Sequence, residues 1–358
     1  MAIPEIQKAA VKTGKGPESK VEVKEIPVPK IGPGQILVKV NYSGLCGTDK
    51  SFYRDEWAAW GGVMRESAFG VAGHEGAGVV VAVADDVKGL WNVGDRAGVK
   101  FLASICRNCE FCQSGDEIFC VKGKKSSLTE PGTFQEYVAT DAYYASRIPD
   151  GVKDEEAGPV MCGGLTAYMA CRRSNVRPGQ WLVLPGAGGG LGHFGVQYAK
   201  ALGMRVIAID GGDAKKELCL KLGAEHFIDF TTTHDIPTEI KKITTYGAHG
   251  VVVTAASKAG YETAPNFLRQ GGTMVCVGIP NDLTIRSAPP PLVVVTRKLN
   301  IVGTYVGNNS DVQEALDFVA RGLVKPLLTV GEFKDLDRFM DDMETGKMIG
   351  RAVIKIGA

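Results

Sequence analysis

The sequence carries almost no net charge: 41 basic and 40 acidic side chains among 358 residues leave +1 at neutral pH. Binding a phosphate backbone needs a concentrated basic surface, so no nucleic-acid partner is expected. No apolar run approaches the length of a membrane-crossing helix, and no membrane segment is expected. The opening stretch MAIPEIQKAAVKTGKGPESK lacks the apolar core of a secretory signal, so the expected compartment is the cytoplasm. Internal repeats and low-complexity stretches are missing too, which excludes solenoids and disordered tracts. What remains is an ordinary globular composition, 44% hydrophobic and 23% charged, at a length that suits two domains. Nine cysteines stand out. An odd number counts against a fully paired disulfide framework, and clustered thiols of a reducing compartment more often hold metal.

Up to residue 163 the chain is rich in valine and glycine and broken by turns. Alternating apolar and polar residues predict short antiparallel strands near 21–26, 36–40, 79–83 and 134–139. The texture then changes. Apolar strands at 181–184, 205–210, 226–230, 251–255 and 273–279 alternate with helical patterns at 193–202, 214–222, 238–245 and 261–269. That order predicts a parallel sheet of βαβ units. The prolines at 289–291 read as a stiff connection before a strand at 299–306. The tail holds helical patterns at 312–320 and 336–343 and an alternating strand at 351–356.

The segment Gly186-Ala187-Gly188-Gly189-Gly190-Leu191-Gly192 follows a strand and opens a helix. A dinucleotide site needs this: a tight turn, close backbone approach to a pyrophosphate, and unpaired N–H groups at a helix start. The spacing is a G-x-x-G-x-x-G variant, and a flexible turn is the bland alternative. Asp210, 18 residues beyond Gly192, ends the next strand and could accept from the adenosine ribose hydroxyls. Gly211 and Gly212 follow it, with no arginine to receive a 2′-phosphate, so NAD is expected rather than NADP.

Cys106, Cys109, Cys112 and Cys120 follow C-x2-C-x2-C-x7-C. Four thiolates in one short lobe, about 104–122, suit a closed tetrahedral zinc of the structural kind. A four-iron cluster is the rival, but the bacterial ferredoxin ending x3-C-P is not found here. Three further candidates stand far apart among glycines: Cys46 in SGLCGTD, His74 in GVAGHEGAG and Cys162 in GPVMCGGLT. Two thiolates and an imidazole would leave a fourth zinc position open. Taken singly each is more ordinarily a core residue. Cys171, Cys219 and Cys276 lie in helical or strand patterns and are expected to fill cores.

On these residues the chain resembles the zinc-dependent medium-chain alcohol dehydrogenases, most closely their yeast-type, tetrameric branch. SGLCGTD, GHEGAGVVV, the four-cysteine lobe, YAKALGMRVIAIDGG, IVGTYVG and EALDFVARGLVK carry the likeness almost end to end. The resemblance implies an α/β fold: a β-rich GroES-like catalytic domain at 1–163 and 304–358, and a doubly wound parallel-sheet (Rossmann) NAD-binding domain at 164–303. It implies two zinc ions per chain, a catalytic one on Cys46, His74 and Cys162 and a structural one on the four clustered cysteines. Thr48 matches the hydroxyl that hydrogen-bonds the alcohol and begins a proton relay. Asp49 matches the carboxylate that orients the ligating histidine, and Glu75 an acid close behind the metal. Trp57 and Phe101 match substrate-pocket positions alongside Thr48. The implied cofactor contacts are Gly189, Gly190, Leu191, Asp210, Lys215, Phe230, Ser257, Val277, Ile279, Thr304, Val306 and Arg351. The implied reaction is reversible hydride transfer from a primary or secondary alcohol to NAD, with zinc lowering the alcohol's pKa and nicotinamide held beside it.

Three departures modify this expectation. Ser51 stands where the relay commonly ends in histidine, so proton exit is expected through Ser51 and water. Gly47 stands where histidine or arginine often touches the pyrophosphate, so weaker NADH binding is expected. The segment between Trp57 and His74 is longer than the branch's, either a surface insertion or a reshaped pocket for bulkier alcohols. Rival readings are an aldehyde or ketone reductase of a specialised pathway, a zinc-free double-bond reductase, and a non-catalytic zinc- and dinucleotide-binding protein. Retention of Cys46, Thr48, His74 and Cys162 argues against the last two. Subunits could pair through the strand expected at 299–306.

Overall fold

A computed structural model describes residues 3–357. The chain divides into two compact units. One comprises the residues up to Cys162, Gly307–Ala320 and the chain from Leu328 onward; the other comprises Gly163–Val306 and Arg321–Leu327. Relative to the expected boundaries, residues 163, 304–306 and 321–327 join the second unit. The latter segment is held there by hydrogen bonds: the Gln197 side chain donates to Lys325 O at 3.1 Å and accepts from Lys325 N at 2.8 Å.

The first unit is built on a seven-stranded, mostly antiparallel sheet. Its hub is Gln35–Gly44, which pairs antiparallel with Gly76–Val83, Tyr137–Asp141 and Arg351–Lys355. Register shifts between Leu37 and Val38 and between Val40 and Tyr42 bend this long strand so that it serves three partners. Hub residues Ile36, Val38 and Val40 pack with Val80, Val99 and Val138. The strand Arg351–Lys355 was expected to alternate, yet its first four residues are all buried, because it lies between two neighbours and under packed side chains on both faces. The outlying pair Ile6–Thr13 and Lys20–Pro27 keeps the wet face that alternation predicts. A second apolar cluster joins Leu45 and Tyr53 to Leu336, Phe339 and Ile354, which anchors the short helix Gly47–Tyr53.

In the second unit six strands run parallel in the order His226–Asp229, Arg205–Asp210, Trp181–Pro185, Ala248–Val253, Leu268–Cys276, Asn300–Gly303. This is the doubly wound order, with its switch point beside the first strand, where the chain turns through Gly186. Trp181–Pro185 is buried throughout, as a central parallel strand must be. Two expectations change here. The helix expected at 261–269 ends early: Lys258–Thr263 passes into a tight turn at Ala264–Phe267, because Pro265 cannot continue the ladder, and strand begins at Leu268. The proline run is also not merely a connection, since Pro291 opens the helix Pro291–Arg297, where its missing N–H costs nothing. Cys171 and Cys219 are buried on helices, and Cys276 packs against the sheet core, as expected of fillers. No helix among the described residues is long and apolar enough to cross a membrane.

Candidate active site

Three loops of the first unit converge. Cys46 follows the hub strand and caps the helix Gly47–Tyr53, His74 precedes the strand Gly76–Val83, and Cys162 lies in the π-turn Val160–Gly164. One potential ligand atom from each of Cys46, His74, Glu75 and Cys162 falls within 4.8 Å of the others. The chain approaches itself so closely that a Cβ on Gly44 would run into the Glu75 carboxylate. Asp49 is fully buried and locks the geometry. Its Oδ2 accepts from Cys46 N at 3.0 Å, and its Oδ1 accepts from Gly73 N at 3.0 Å and meets His74 Nδ1 at 2.7 Å. Nε2 is therefore the imidazole nitrogen left for the thiols.

The electrostatics fit a cation. The hydrogen bond from the Cys162 thiol holds Cys46 well below the usual thiol range, against the cost of burial and with help from His74 and Arg351. The same bond, then burial, pushes Cys162 well above it. Burial favours a neutral His74, but Asp49 overcomes it and raises the ring's pKa. Burial pushes Glu75 up to about 7, opposed by Arg351. A half-buried and a buried thiol that share a proton beside an oriented imidazole are a donor set suited to zinc. Arg351 lies behind this cluster, where its Nη2 donates to both Glu75 oxygens.

Cys106, Cys109, Cys112 and Cys120 likewise gather their sulfurs within 4.8 Å. Thiolates on one tetrahedral zinc stand about 3.8 Å apart, so these sulfurs converge on a single ion rather than the corners of a four-iron cube. Backbone N–H groups aim at them: Cys106 N donates to Cys120 Sγ at 3.2 Å, and donors from Cys112 and Val121 bring Cys109 down to about 6.

Thr48 lies half-buried on the helix after Cys46. Rings form a continuous chain away from the cluster. Phe101 meets His74 edge-on with centroids 5.5 Å apart, Phe52 stacks on Phe101, Trp57 meets Phe52 at 5.7 Å, and Trp60 stacks on Trp57 at 6.2 Å. The long segment after Trp57 thus joins the aromatic chain through Trp60. It is tied down elsewhere by Arg65 N to Leu128 O at 2.8 Å, while Val63 and Phe69 stay exposed. Ser51 is buried and donates to Glu56 Oε2 at 2.6 Å, and Glu56 Oε1 meets Lys50 Nζ at 2.5 Å. Sequence reasoning missed Phe52 and Glu56. Phe52 reads as an ordinary helix core residue, and Glu56 lies beyond the helix end, where no periodicity marks it.

In the second unit the expected cofactor residues other than Arg351 lie at or after the C-terminal ends of the six strands. Gly189, Gly190 and Leu191 follow the first in sequence, Asp210 and Lys215 the second, and Phe230 the third. Ser257 follows the fourth, Val277 and Ile279 the fifth, and Thr304 and Val306 the sixth. The turn is compact: Gly186 N and Ala187 N both donate to Ile209 O, and a Cβ on Gly192 would strike Gly186 O and Ala187. Asp210 is pre-set, accepting from Gly188 N at 2.8 Å, Gly211 N at 2.9 Å and Lys215 Nζ at 2.9 Å. Ser257 caps the helix Lys258–Thr263 through Gly260 N.

Comparison with known proteins agrees with this geometry. Residues 32–150 match the alcohol dehydrogenase GroES-like domain, and residues 190–321 match the zinc-binding dehydrogenase domain. Alcohol dehydrogenase 1 of Emericella nidulans is 43% identical over 99% of both chains. Among solved structures, the alcohol dehydrogenase of Aeropyrum pernix superposes with a TM-score of 0.86 at 25% identity, covering 97% of this chain and 99% of its own. Acetophenone reductase of Geotrichum candidum, in complex with NAD, gives 0.85 at 25% identity over 99% and 98%.

Proposed function

The chain belongs to the zinc-dependent alcohol dehydrogenases, and from that premise we propose how its own residues share the interconversion of an alcohol with an aldehyde or ketone, using NAD. The observation that carries the reading is the cluster of Cys46, His74 and Cys162 with its imidazole locked by Asp49. These three would hold the catalytic zinc, and Cys106, Cys109, Cys112 and Cys120 the structural one. The catalytic zinc, when bound, supplies Lewis acidity that makes an alcohol hydroxyl acidic at neutral pH. Thr48 accepts the hydroxyl proton's hydrogen bond and orients the substrate. Ser51, hydrogen-bonded to Glu56, offers the exit towards solvent that histidine supplies elsewhere in the family. Glu75, paired with Arg351, holds compensated charge behind the metal ligands. Asp210 would receive the adenosine ribose hydroxyls, which favours NAD over NADP. The turn through Gly189, Gly190 and Leu191 would cradle the pyrophosphate.

We infer a pocket suited to alcohols bulkier than ethanol, a reading supported by the long segment after Trp57, whose Trp60 joins the aromatic chain that ends on Phe101 beside His74. The yeast-type branch and its tetramer are inferred from the motifs, with the sheet-edge strand Asn300–Gly303 and the exposed Leu292 and Val295 as the surface for self-association. Cytoplasmic location is inferred from two thiol clusters that need reducing surroundings.

Metal analysis with an alcohol panel, from ethanol to benzylic and branched alcohols and with NAD(H) against NADP(H), tests the whole. Two zinc ions per chain with alcohol-dependent NADH formation are expected. One zinc and no turnover on any alcohol would overturn the reading, and strict preference for ethanol would defeat the wide pocket.

A further inference from the structure

The parallel sheet of the second unit has another end. Two adjoining cavities of about 660 and 520 Å³ open beside the N-terminal ends of its strands, the edge opposite the glycine turn. The larger is lined by Lys241, Arg269 and Arg297, the smaller by Arg177, His249 and again Arg269. No Asp or Glu lines either among the described residues. Arg297 and Arg269 are held by uncharged groups. Arg297 donates to the carbonyls of Pro265 and Leu268, and the Arg269 guanidinium lies over the Tyr246 ring.

His249 sharpens the point. Its Nδ1 faces the N–H of Trp181 at 3.2 Å and its Nε2 faces Arg269 Nη1 at 2.8 Å. Burial, then Arg269 and Arg177, hold its pKa below the usual value, so the ring is neutral and has one lone pair for two donors. One donor hydrogen is surplus and points at an N–H. An anionic oxygen entering the cavity would take it, and would also relieve the mutual repulsion of the arginines.

We propose that this end of the sheet binds a small polyanion bearing two or more phosphate groups, shared between the two cavities at Arg269. Planar guanidinium forks suit phosphate oxygens, and the joint cavity has room for more than one such group. The site lies at the opposite strand ends from the cofactor turn, so its ligand would act as an effector or stabiliser rather than a reactant.

The test is calorimetric titration of the holoenzyme, loaded with one equivalent of NADH per chain, with sodium tripolyphosphate at near-physiological salt. Orthophosphate serves as the second titrant. Saturable binding is expected, weakened about tenfold or more by Arg269→Gln and also weakened by Arg177→Gln, whose exposed side chain is not needed for folding. Should Arg269→Gln fail to fold, Arg177→Gln and Lys241→Gln carry the decision. Absence of saturable binding, binding indifferent to these substitutions, or equal affinity for orthophosphate would each overturn the proposal.

Discussion

The Ser51 hydroxyl donates to Glu56, 2.6 Å away, and Lys50 closes on the same carboxylate from the other side. A proton that reaches Ser51 therefore meets a carboxylate rather than an imidazole. With no imidazole in the exit, the exit itself is expected to add no imidazole titration near neutrality to the activity. Ser51→His is expected to add a limb to the pH–rate profile at about pH 6–7. Profiles that coincide for the two enzymes would remove Ser51 from the exit route.

Arg351 and Glu75 form a buried pair in which each is nearly inaccessible to water. Removing one partner of such a pair strands a charge. Arg351→Met is expected to lose about 3–5 kcal/mol of stability in urea unfolding, and the double change with Glu75→Met much less. Equal losses for single and double variants would show that packing, not charge, governs the site.

Lys100 is buried, and among the described residues no carboxylate pairs with it. Its Nζ donates to Tyr144 O at 2.7 Å, Ser146 Oγ at 2.6 Å and Asn309 Oδ1 at 2.6 Å. Desolvation brings its pKa down to about 7 from 10.5. Between these values the unfolded chain holds a proton that the folded chain does not, so stability rises with pH across that window. Below it both states are charged and the burial penalty is fully felt. Lys100→Met is expected to flatten this rise, measured as the difference between thermal midpoints at several pH values; parallel curves would refute it.

The two metal centres are expected to fail differently. Cys109→Ser should leave about one zinc per chain and lower the thermal midpoint, because a structural site contributes folding energy. Asp49→Asn should keep the four-cysteine zinc but lose roughly 10- to 100-fold in activity or in affinity at the other site. Zinc content and unfolding curves of the two variants check both; loss of both ions from either one would show the centres to be coupled.

Much of this protein is legible without coordinates. The four-cysteine lobe is, because its ligands lie close in sequence and thiolates at that spacing admit few other uses. So is the second sheet, whose strands are buried on both faces and therefore read as uninterrupted apolar runs between helical patterns. The turn from Gly186 to Gly192 and Asp210 are read by the same local logic. Local pattern was weaker at Pro265 and Pro291, where the same residue type ended one helix and began another.

Tertiary structure alone decided the rest. Cys46, His74 and Cys162 are isolated residues until the hub strand Gln35–Gly44 and its neighbours bring three distant loops together. Glu75 meets Arg351 across the whole chain because the tail strand Arg351–Lys355 pairs back onto that hub. Glu56 at Ser51, Phe52 between the rings of Trp57 and Phe101, and the arginines around His249 carry no periodic signature at all. Their partners are chosen by packing between segments remote in sequence. A linear pattern records which face a residue turns to the core, and not what it will meet there.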